Sequence, residues 1–242
     1  MLKQKVKEWL GQKAKEWFES RGYALRKLGS NPFLDMKRLM GGRFPVIFDV
    51  GSNTGQSVEL FRSHFHTFSI HAFEPSAKTF TILESKHAAT PGIVRLNNVA
   101  LGSRHESREF IENTESDMSS LLAPGPDCWG EIASRSQVNV QTLDDYASLN
   151  QIGYIDILKI DTQGFELEVL KGSVRMLREH RVRMVYAEVI FSEMYEGMPR
   201  FDEFFSFLLD RGFVLISIYE IFHREGRADW TDVLFVDPQF GL

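Results

Sequence analysis

The sequence contains a single cysteine, Cys128, so it can form neither an internal disulfide nor a cysteine-rich metal site. It also lacks any apolar run of about 18 residues, the length that a membrane-spanning helix requires. Its first residues lack the apolar stretch and cleavage site of a signal peptide. These absences favour a protein that works in a reducing, cytoplasmic setting.

Positive charge is scarce outside the first 29 residues. The whole chain carries a net charge of -5, but residues 1–29 hold eight Lys or Arg against three Glu, which leaves -10 on residues 30–242. Nucleic-acid-binding surfaces need clustered positive charge. We therefore expect no nucleic-acid partner.

Residues 1–43 are predicted to form a basic, amphipathic helical extension ahead of a single domain that spans residues 44–242. Trp9 and Trp17 on a lysine-rich helix would suit peripheral contact of residues 1–29 with an anionic membrane surface. The alternatives are packing against the domain or against a second subunit in a homo-oligomer, because lysine-covered helix faces are common on soluble surfaces.

A glycine-rich turn, Asp49-Val50-Gly51-Ser52-Asn53-Thr54-Gly55, follows an apolar run and precedes a helical pattern. A strand, a tight turn and a helix in this order let the backbone approach a ligand closely. The third glycine of a dinucleotide-binding turn is missing, because Gln56 follows Gly55. Asp49 would repel a pyrophosphate but suits the ammonium group of S-adenosyl-L-methionine. An ordinary turn with a capping carboxylate is the alternative.

Glu74 stands 25 positions beyond Asp49, at the end of a second apolar run, residues 68–73. A carboxylate at the tip of the neighbouring strand can accept hydrogen bonds from both ribose hydroxyls of an adenosine. The turn and Glu74 together predict a nucleoside-cofactor site, with S-adenosyl-L-methionine as the cofactor.

From residue 46 onward, predicted strands alternate with predicted helices. The strands are placed at residues 46–50, 68–73, 93–99, 155–160, 184–189, 213–219 and 231–236. No helix separates the last two, so they must be antiparallel. The pattern predicts an α/β fold, the doubly wound, Rossmann-like sheet of class I methyltransferases, with order 3-2-1-4-5-7-6 and an antiparallel strand 7. Ligands bind such sheets at the carboxyl ends of the strands.

Residues 113–137 are too long and polar for an ordinary connection and contain Pro124-Gly125-Pro126. A lid or binding loop is predicted there, with Ser119 and Ser120 as sources of hydroxyl groups, and disorder is the alternative.

The block Lys159-Ile160-Asp161-Thr162-Gln163-Gly164-Phe165-Glu166 closely resembles the FkbM-type methyltransferases. So do the glycine turn, Phe73-Glu74-Pro75 and Asn98-Val99-Ala100-Leu101, and the resemblance covers about residues 45–236. It implies S-adenosyl-L-methionine-dependent methyl transfer, mostly to hydroxyls of sugars, glycans or natural products, without fixing the acceptor. With the turn, it places the cofactor on these residues: Asp49, Gly51, Ser52, Asn53, Gly55, Glu74, Ala100 and Asp161.

Asp161 is the first candidate for a general base that removes the proton of an acceptor hydroxyl, with capping of the following turn as its alternative role. Glu188 is the second candidate, and Lys159 is expected to pair with it, because a charge in a central strand needs a partner. This pair is either catalytic or structural. Glu166 and Glu168 suit the first turn of a helix and are interpreted as mainly structural.

A magnesium site on Asp161 and Glu188 would suit a diol acceptor, but three ligands at metal spacing are not visible, so we expect no metal. His223 and Asp232, in the terminal hairpin, lie where they could reach an acceptor. Two other functions compete with a glycan or small-molecule O-methyltransferase. One is an inactive nucleoside-binding module, and the other is methylation of a lipid-linked sugar at a membrane surface.

Overall fold

The computed structural model describes residues 13, 14, 17, 21, 29–87 and 94–241. The amphipathic helix expected over residues 1–29 therefore lies outside the described residues, apart from isolated positions. In the described part of the chain, no helix is both long enough and apolar enough to cross a bilayer.

The helices are α1 (Pro32–Met40), α2 (Gln56–His64), α3 (Ala77–His87), α4 (Leu143–Leu149), α5 (Glu166–Lys171), α6 (Val174–Arg178) and α7 (Phe201–Leu209). The strands are β1 (Val46–Val50), β2 (Ser69–Phe73), β3 (Val94–Asn97), β4 (Ala100–Leu101), β5 (Glu106–Asn113), β6 (Ile132–Gln141), β7 (Ile155–Ile160), β8 (Val182–Ile190), β9 (Val214–Arg224) and β10 (Arg227–Val236).

Seven strands form one sheet in the order β3-β2-β1-β7-β8-β10-β9, with β10 antiparallel to both of its neighbours. When only these seven strands are numbered along the chain, the order is 3-2-1-4-5-7-6. The predicted class I methyltransferase sheet is thus confirmed, including its antiparallel strand 7.

The terminal hairpin is longer than predicted. The two-residue turn Glu225-Gly226 joins β9 to β10, and both residues have positive φ, 51° and 78°. Paired positive φ values are typical of the turns that fit the twist of a hairpin, so the strands run on to the turn itself. The expected link over residues 220–230 is therefore mostly strand.

The polar stretch 113–137 is also partly strand. Its last six residues belong to β6, which pairs with β5 and β4 in a separate three-stranded sheet. The intervening residues 114–131 cross the carboxyl edge of the large sheet, where Pro124 bridges to Tyr195 and Ser120 to Ile111. That the loop covers a bound ligand stays a prediction.

The large sheet is packed on both faces, because alternate residues of its parallel strands point in opposite directions. Phe48 and Leu158 pack with α4 to α7 on one face, whereas Ile47 and Ile157 pack with α1 to α3 on the other. Each such buried side chain contributes about 1.5–3 kcal/mol to stability. The rigid sheet fixes the positions of the polar groups at its carboxyl edge.

The single helix predicted after Asp161 is two short helices, α5 and α6. Between them Gly172 passes so close to Gly102 that a Cβ on Gly172 would lie 2.0 Å from the Gly102 carbonyl oxygen. The buried Ser173 hydroxyl donates to the Val169 carbonyl at 2.7 Å. These contacts interrupt the helix and seat the small sheet against the large one.

Candidate active site

The glycine turn after β1 takes up the left-handed backbone conformation at three positions, with φ of 80° at Gly51, 46° at Asn53 and 92° at Gly55. Asn is one of the few residue types besides Gly that adopt this conformation readily. A Cβ on Gly51 would lie 1.8 Å from the Asp161 carbonyl oxygen, so only glycine fits between the two strand ends. The turn therefore holds bare backbone at the carboxyl edge of the sheet.

Ser52 and Gly55 were predicted to contact the cofactor, but neither lines the cavity described below. The buried Ser52 hydroxyl donates to the Asp49 carbonyl at 2.8 Å and accepts the Phe73 N–H at 3.1 Å. At Gly55, a Cβ would lie 2.3 Å from His87 Nε2. Both residues shape the turn, and their direct contact with a cofactor stays a prediction.

Glu74 follows β2 and is held from two sides. Its Oε2 accepts the Asn53 backbone N–H at 3.0 Å, and its Oε1 accepts the Ser76 N–H at 2.8 Å. The side-chain amide of Asn98 donates to the Glu74 carbonyl at 2.9 Å and fixes the backbone there. Burial raises the pKa of Glu74 to about 7, against the lowering effect of these two N–H donors.

A cavity lies between the turn and the small sheet. Five predicted cofactor residues line it: Gly51, Asn53, Glu74, Ala100 and Asp161. Its apolar walls include Val99, Leu101 and Phe110. We call it the cofactor cavity.

The residues of the cofactor cavity fit a nucleoside cofactor. Asn53 Oδ1 is buried and has no hydrogen-bond partner among the described residues. The Glu74 carboxylate, the bare backbone of Gly51 and an apolar slot accompany it. An acceptor of hydroxyl hydrogen bonds beside a flat apolar slot suits a ribose and its base.

Lys159 pairs with Asp49 and Asp161, and the predicted Lys159–Glu188 ion pair is wrong. Lys159 Nζ lies 3.1 Å from Asp49 Oδ1 and 3.4 Å from Asp161 Oδ2, and it donates to the Gly51 carbonyl at 3.2 Å. The cause is strand register, because Asp49 stands directly beside Lys159 on the neighbouring parallel strand.

This ion pair removes Asp49 from the wall of the cofactor cavity. Asp49 is completely buried, and the side chain of Lys159 is only 7% exposed. Burial alone would lower the pKa of Lys159, but the two carboxylates raise it above its usual value. Asp49 therefore acts through Lys159, and its predicted contact with a cofactor ammonium is not supported by its position.

Gln163 links the two candidate bases. Its Nε2 donates to Asp161 Oδ1 at 3.0 Å and to Glu188 Oε2 at 2.8 Å. Its Oε1 accepts the Tyr195 hydroxyl at 2.8 Å, and its carbonyl accepts the Ser120 hydroxyl at 2.7 Å. The amide is thereby oriented, and Ser120 serves the loop rather than the cavity.

Glu166 takes the capping role that was weighed for Asp161. Its Oε1 accepts the N–H groups of Thr162 and Gly164 at 2.7 and 3.2 Å, and the Thr162 hydroxyl at 3.0 Å. Burial raises the pKa of this carboxyl to about 7. Because Glu166 holds the turn, the carboxylate of Asp161 faces Lys159 and Gln163 instead.

A second cavity of about 300 Å³ adjoins the first and shares three wall residues with it, Asp117, Asp161 and Gln163. We call it the acceptor cavity. Its further polar walls are Lys159, Glu188 and Asp232. The Tyr186 hydroxyl donates to Asp232 Oδ2 at 2.7 Å, and burial raises the pKa of Asp232 to about 6.

Aromatic side chains complete the acceptor cavity, and the sequence analysis did not identify them. They are Phe33, Trp129, Tyr186 and Trp230. The only signal was the placement of Trp129 in the polar loop and of Trp230 beside Asp232. His223 is not among the lining residues, and its Nδ1 lies 2.9 Å from the Ile221 carbonyl.

Ser119 lines the cofactor cavity, and its hydroxyl accepts the Asn113 N–H at 3.0 Å. Within residues 29–87 and 94–241, no group of three or more His, Cys, Asp or Glu is arranged to hold a metal ion. The expectation of no metal stays a prediction.

A Rossmann-like sheet with an antiparallel seventh strand, a Gly51–Gly55 turn and a carboxylate, Glu74, at the end of the neighbouring strand is typical of the class of S-adenosyl-L-methionine-dependent methyltransferases. Residues 49–215 match the model of one family of this class, described as "Methyltransferase FkbM domain". The chain belongs to the FkbM methyltransferase family, and the resemblance seen in its sequence is confirmed.

Two curated relatives are 27% identical to this chain. One is the hexuronic acid methyltransferase AglP of Haloferax volcanii, matched over 60% of this chain and 55% of the relative. The other is the 2-O-methyltransferase NoeI of Sinorhizobium fredii, matched over 63% of this chain and 66% of the relative. The chain thus spans between half and two thirds of each.

Two solved structures match most of this chain at low identity. A methyltransferase structure from Streptococcus mutans in complex with SAH is 11% identical, with a TM-score of 0.44 over 88% of this chain and 99% of that one. The METTL16 MTase domain is 10% identical, with a TM-score of 0.49 over 84% of this chain and 64% of that one.

Proposed function

We propose that this protein transfers the methyl group of S-adenosyl-L-methionine to a hydroxyl of a sugar or glycan. The observation that carries the proposal is the wall shared by the two cavities, where Asp161 and Gln163 face both. The two curated relatives carry names of a hexuronic acid methyltransferase and a 2-O-methyltransferase, which supports a sugar-related acceptor.

The cofactor is held by the turn, by Glu74 and by the apolar slot of the cofactor cavity. When bound, it supplies an electrophilic methyl group on a sulfonium. Gly51 and Asn53 present backbone and an unpaired amide oxygen, and Glu74 presents a carboxylate that can accept ribose hydroxyls. Fixing cofactor and acceptor in adjoining cavities removes much of the entropic barrier to their reaction.

Asp161 is the proposed proton acceptor. Its Oδ1 is oriented by Gln163 at 3.0 Å and its Oδ2 by Lys159 at 3.4 Å, while its side chain remains 38% exposed. The bound cofactor would supply the methyl group to the acceptor oxygen and leave as S-adenosyl-homocysteine, because its carbon–sulfur bond breaks as the new carbon–oxygen bond forms. The Asp161 carboxylate would accept the hydroxyl proton. General-base assistance of this kind contributes typically 10²–10⁴-fold to a rate.

Glu188 is the alternative proton acceptor. It lines the acceptor cavity, but burial, with the negative charges of Asp161, Glu166 and Asp232, raises its pKa well above the usual carboxyl value. A carboxyl with a raised pKa is more often protonated at neutral pH. We therefore assign it to binding an acceptor hydroxyl.

The experiment that tests this function is methyl transfer from labelled S-adenosyl-L-methionine to simple methyl glycosides, with S-adenosyl-homocysteine formation measured in parallel. Binding of the cofactor and of S-adenosyl-homocysteine, but not of NAD, is measured by calorimetry on the same protein. Labelled glycoside is the expected product. Cofactor binding without transfer to any hydroxylated acceptor would contradict the proposed reaction.

A further inference from the structure

The acceptor cavity has an unbalanced charge. Besides Glu188, which is more often protonated, three of the described residues in its walls are carboxylates, whereas only Lys159 is a cation. The three carboxylates are Asp117, Asp161 and Asp232. A ligand that carries its own negative charge would enter this cavity against the field of its walls.

The cation in these walls is committed to the protein's own carboxylates. Lys159 contacts Asp49 and Asp161 and donates to the Gly51 carbonyl, and its side chain is almost entirely buried. Turning it toward a ligand carboxylate would leave Asp49 buried without its partner, which is strongly unfavourable. Lys159 therefore cannot compensate an acidic ligand.

Arg224, which contacts the cavity residue Trp129, is committed as well. The Arg224 guanidinium lies over the Trp129 ring, 5.1 Å from its centroid, and pairs with Asp229 at 2.9 Å. It also donates to the Asp127 carbonyl. These contacts tie it to the loop beside the cavity rather than to a bound ligand.

The aromatic walls also favour a ligand without negative charge. Phe222 stacks on Trp230 at 3.8 Å between ring centroids, which fixes the plane of the indole in the cavity wall. Aromatic faces carry partial negative charge and attract cations and polarised C–H groups. The Asp232 carboxylate, held by the Tyr186 hydroxyl, stands beside this surface.

We propose that the acceptor cavity selects a sugar without an acidic group and accepts a protonated amine at least as well as a hydroxyl. The inference rests on the proposed sugar methylation but names its substrate class, neutral and amino sugars as opposed to hexuronates. The acceptor of the relative named for hexuronic acid would then not be shared by this chain. Asp232 is the residue that determines this specificity.

The test compares methyl glycosides that differ only at C6, as the hydroxymethyl, the carboxylate and the aminomethyl form. Each form is prepared in the gluco, galacto and manno configurations, and its equilibrium binding to the enzyme loaded with S-adenosyl-homocysteine is measured at pH 7.5. Binding is the readout because it does not depend on which hydroxyl is methylated. In the best-bound configuration, we expect the uronate to bind at least about tenfold more weakly than the neutral sugar, which is about 1.4 kcal/mol.

A matched pair of variants assigns the effect. Asp232→Asn keeps the shape of the side chain and should reduce the uronate penalty, which is the factor by which the uronate binds more weakly than the neutral sugar. Asp202→Asn, at a half-exposed position of α7, should leave that factor unchanged. A uronate penalty below tenfold, or an amine that binds more weakly than the hydroxymethyl form, overturns this inference while leaving methyl transfer intact. If no sugar binds in any form, the proposed sugar acceptor itself is contradicted.

Discussion

The cofactor cavity and the acceptor cavity share one wall but are built in different ways. The cofactor cavity is bounded by a glycine turn and strand ends, and its decisive features are backbone positions, such as the close approach of Gly51 to Asp161. The acceptor cavity is bounded by large side chains from α1, the 114–131 loop, β7, β8 and β10. Backbone geometry defines the first cavity, and side-chain chemistry defines the second.

Because of this difference, the two cavities tolerate different kinds of amino-acid substitution. A turn that needs positive φ and a missing Cβ accepts very few residue types, so its requirements recur wherever the same cofactor is bound. A cavity walled by side chains can change its preference by single substitutions without disturbing the sheet. We therefore expect substitutions in the shared wall to affect chemistry, and substitutions in either outer wall to affect binding of only one ligand.

The largest effect on turnover is expected for Asp161→Asn, because the amide cannot take a proton from the acceptor hydroxyl. We expect kcat to fall by roughly 10²–10⁴-fold. Cofactor affinity, measured by calorimetry, should change by less than about threefold, because the side chain keeps its shape. Glu188→Gln is the matched control, since Gln163 holds both carboxylates, and it should lower kcat much less. The opposite ranking of the two variants would make Glu188 the base.

Gly51→Ala should weaken cofactor binding. Its new Cβ would lie 1.8 Å from the Asp161 carbonyl oxygen at a φ of 80°. The strand ends must separate, and we expect cofactor affinity to fall roughly a hundredfold, about 2.7 kcal/mol. Gly42→Ala shares the φ of 80° but meets nothing within 4 Å, so it reports backbone strain without the clash. Equal affinity losses in both variants would show that close approach at Gly51 is unimportant.

Glu74 should make cofactor affinity depend on pH. Its pKa is raised to about 7, so the carboxyl is mostly protonated at pH 6 and mostly ionised at pH 8. Only the ionised form offers both oxygens as acceptors to ribose hydroxyls, and affinity for S-adenosyl-homocysteine should rise about tenfold over this interval. In Glu74→Gln the rise should disappear while any contribution from the ligand's own amine remains. A pH dependence that survives unchanged in Glu74→Gln would place its origin elsewhere.

The cofactor cavity could be predicted from the sequence because its features are local. Gly51, Asn53 and Gly55 lie within one turn, and Glu74 lies at a spacing set by one helix and one strand. The sheet order also followed from local patterns, because a helix or a short turn between strands decides whether they are parallel. Each of these inferences needed only residues close together in the chain.

The partner of Lys159 could not be predicted, because it depends on the register between β1 and β7. A shift of one residue turns every side chain to the opposite face. In the observed register Asp49 stands beside Lys159, whereas Glu188 is reached by Gln163. The aromatic walls of the acceptor cavity could not be predicted either, since Phe33, Trp129 and Trp230 are distant in sequence and belong to no motif.

Among the variants that act on the wall shared by the two cavities, Tyr195→Phe is expected to have the smallest effect on kcat. The Tyr195 hydroxyl donates to Gln163 Oε1 at 2.8 Å and so directs Nε2 toward both carboxylates. Without it the amide can turn, and one hydrogen bond of about 1 kcal/mol corresponds to roughly a fivefold loss. We expect that loss in kcat, together with a shifted pH–rate profile, because Asp161 and Glu188 lose a shared donor, and cofactor affinity should be unchanged. Tyr154→Phe, at a 59% exposed position, is the control for loss of a tyrosine hydroxyl. A lower kcat with an unchanged pH profile would mean that Tyr195 only stabilises the loop. The orientation of Gln163 would then have no influence on the protonation of Asp161 and Glu188.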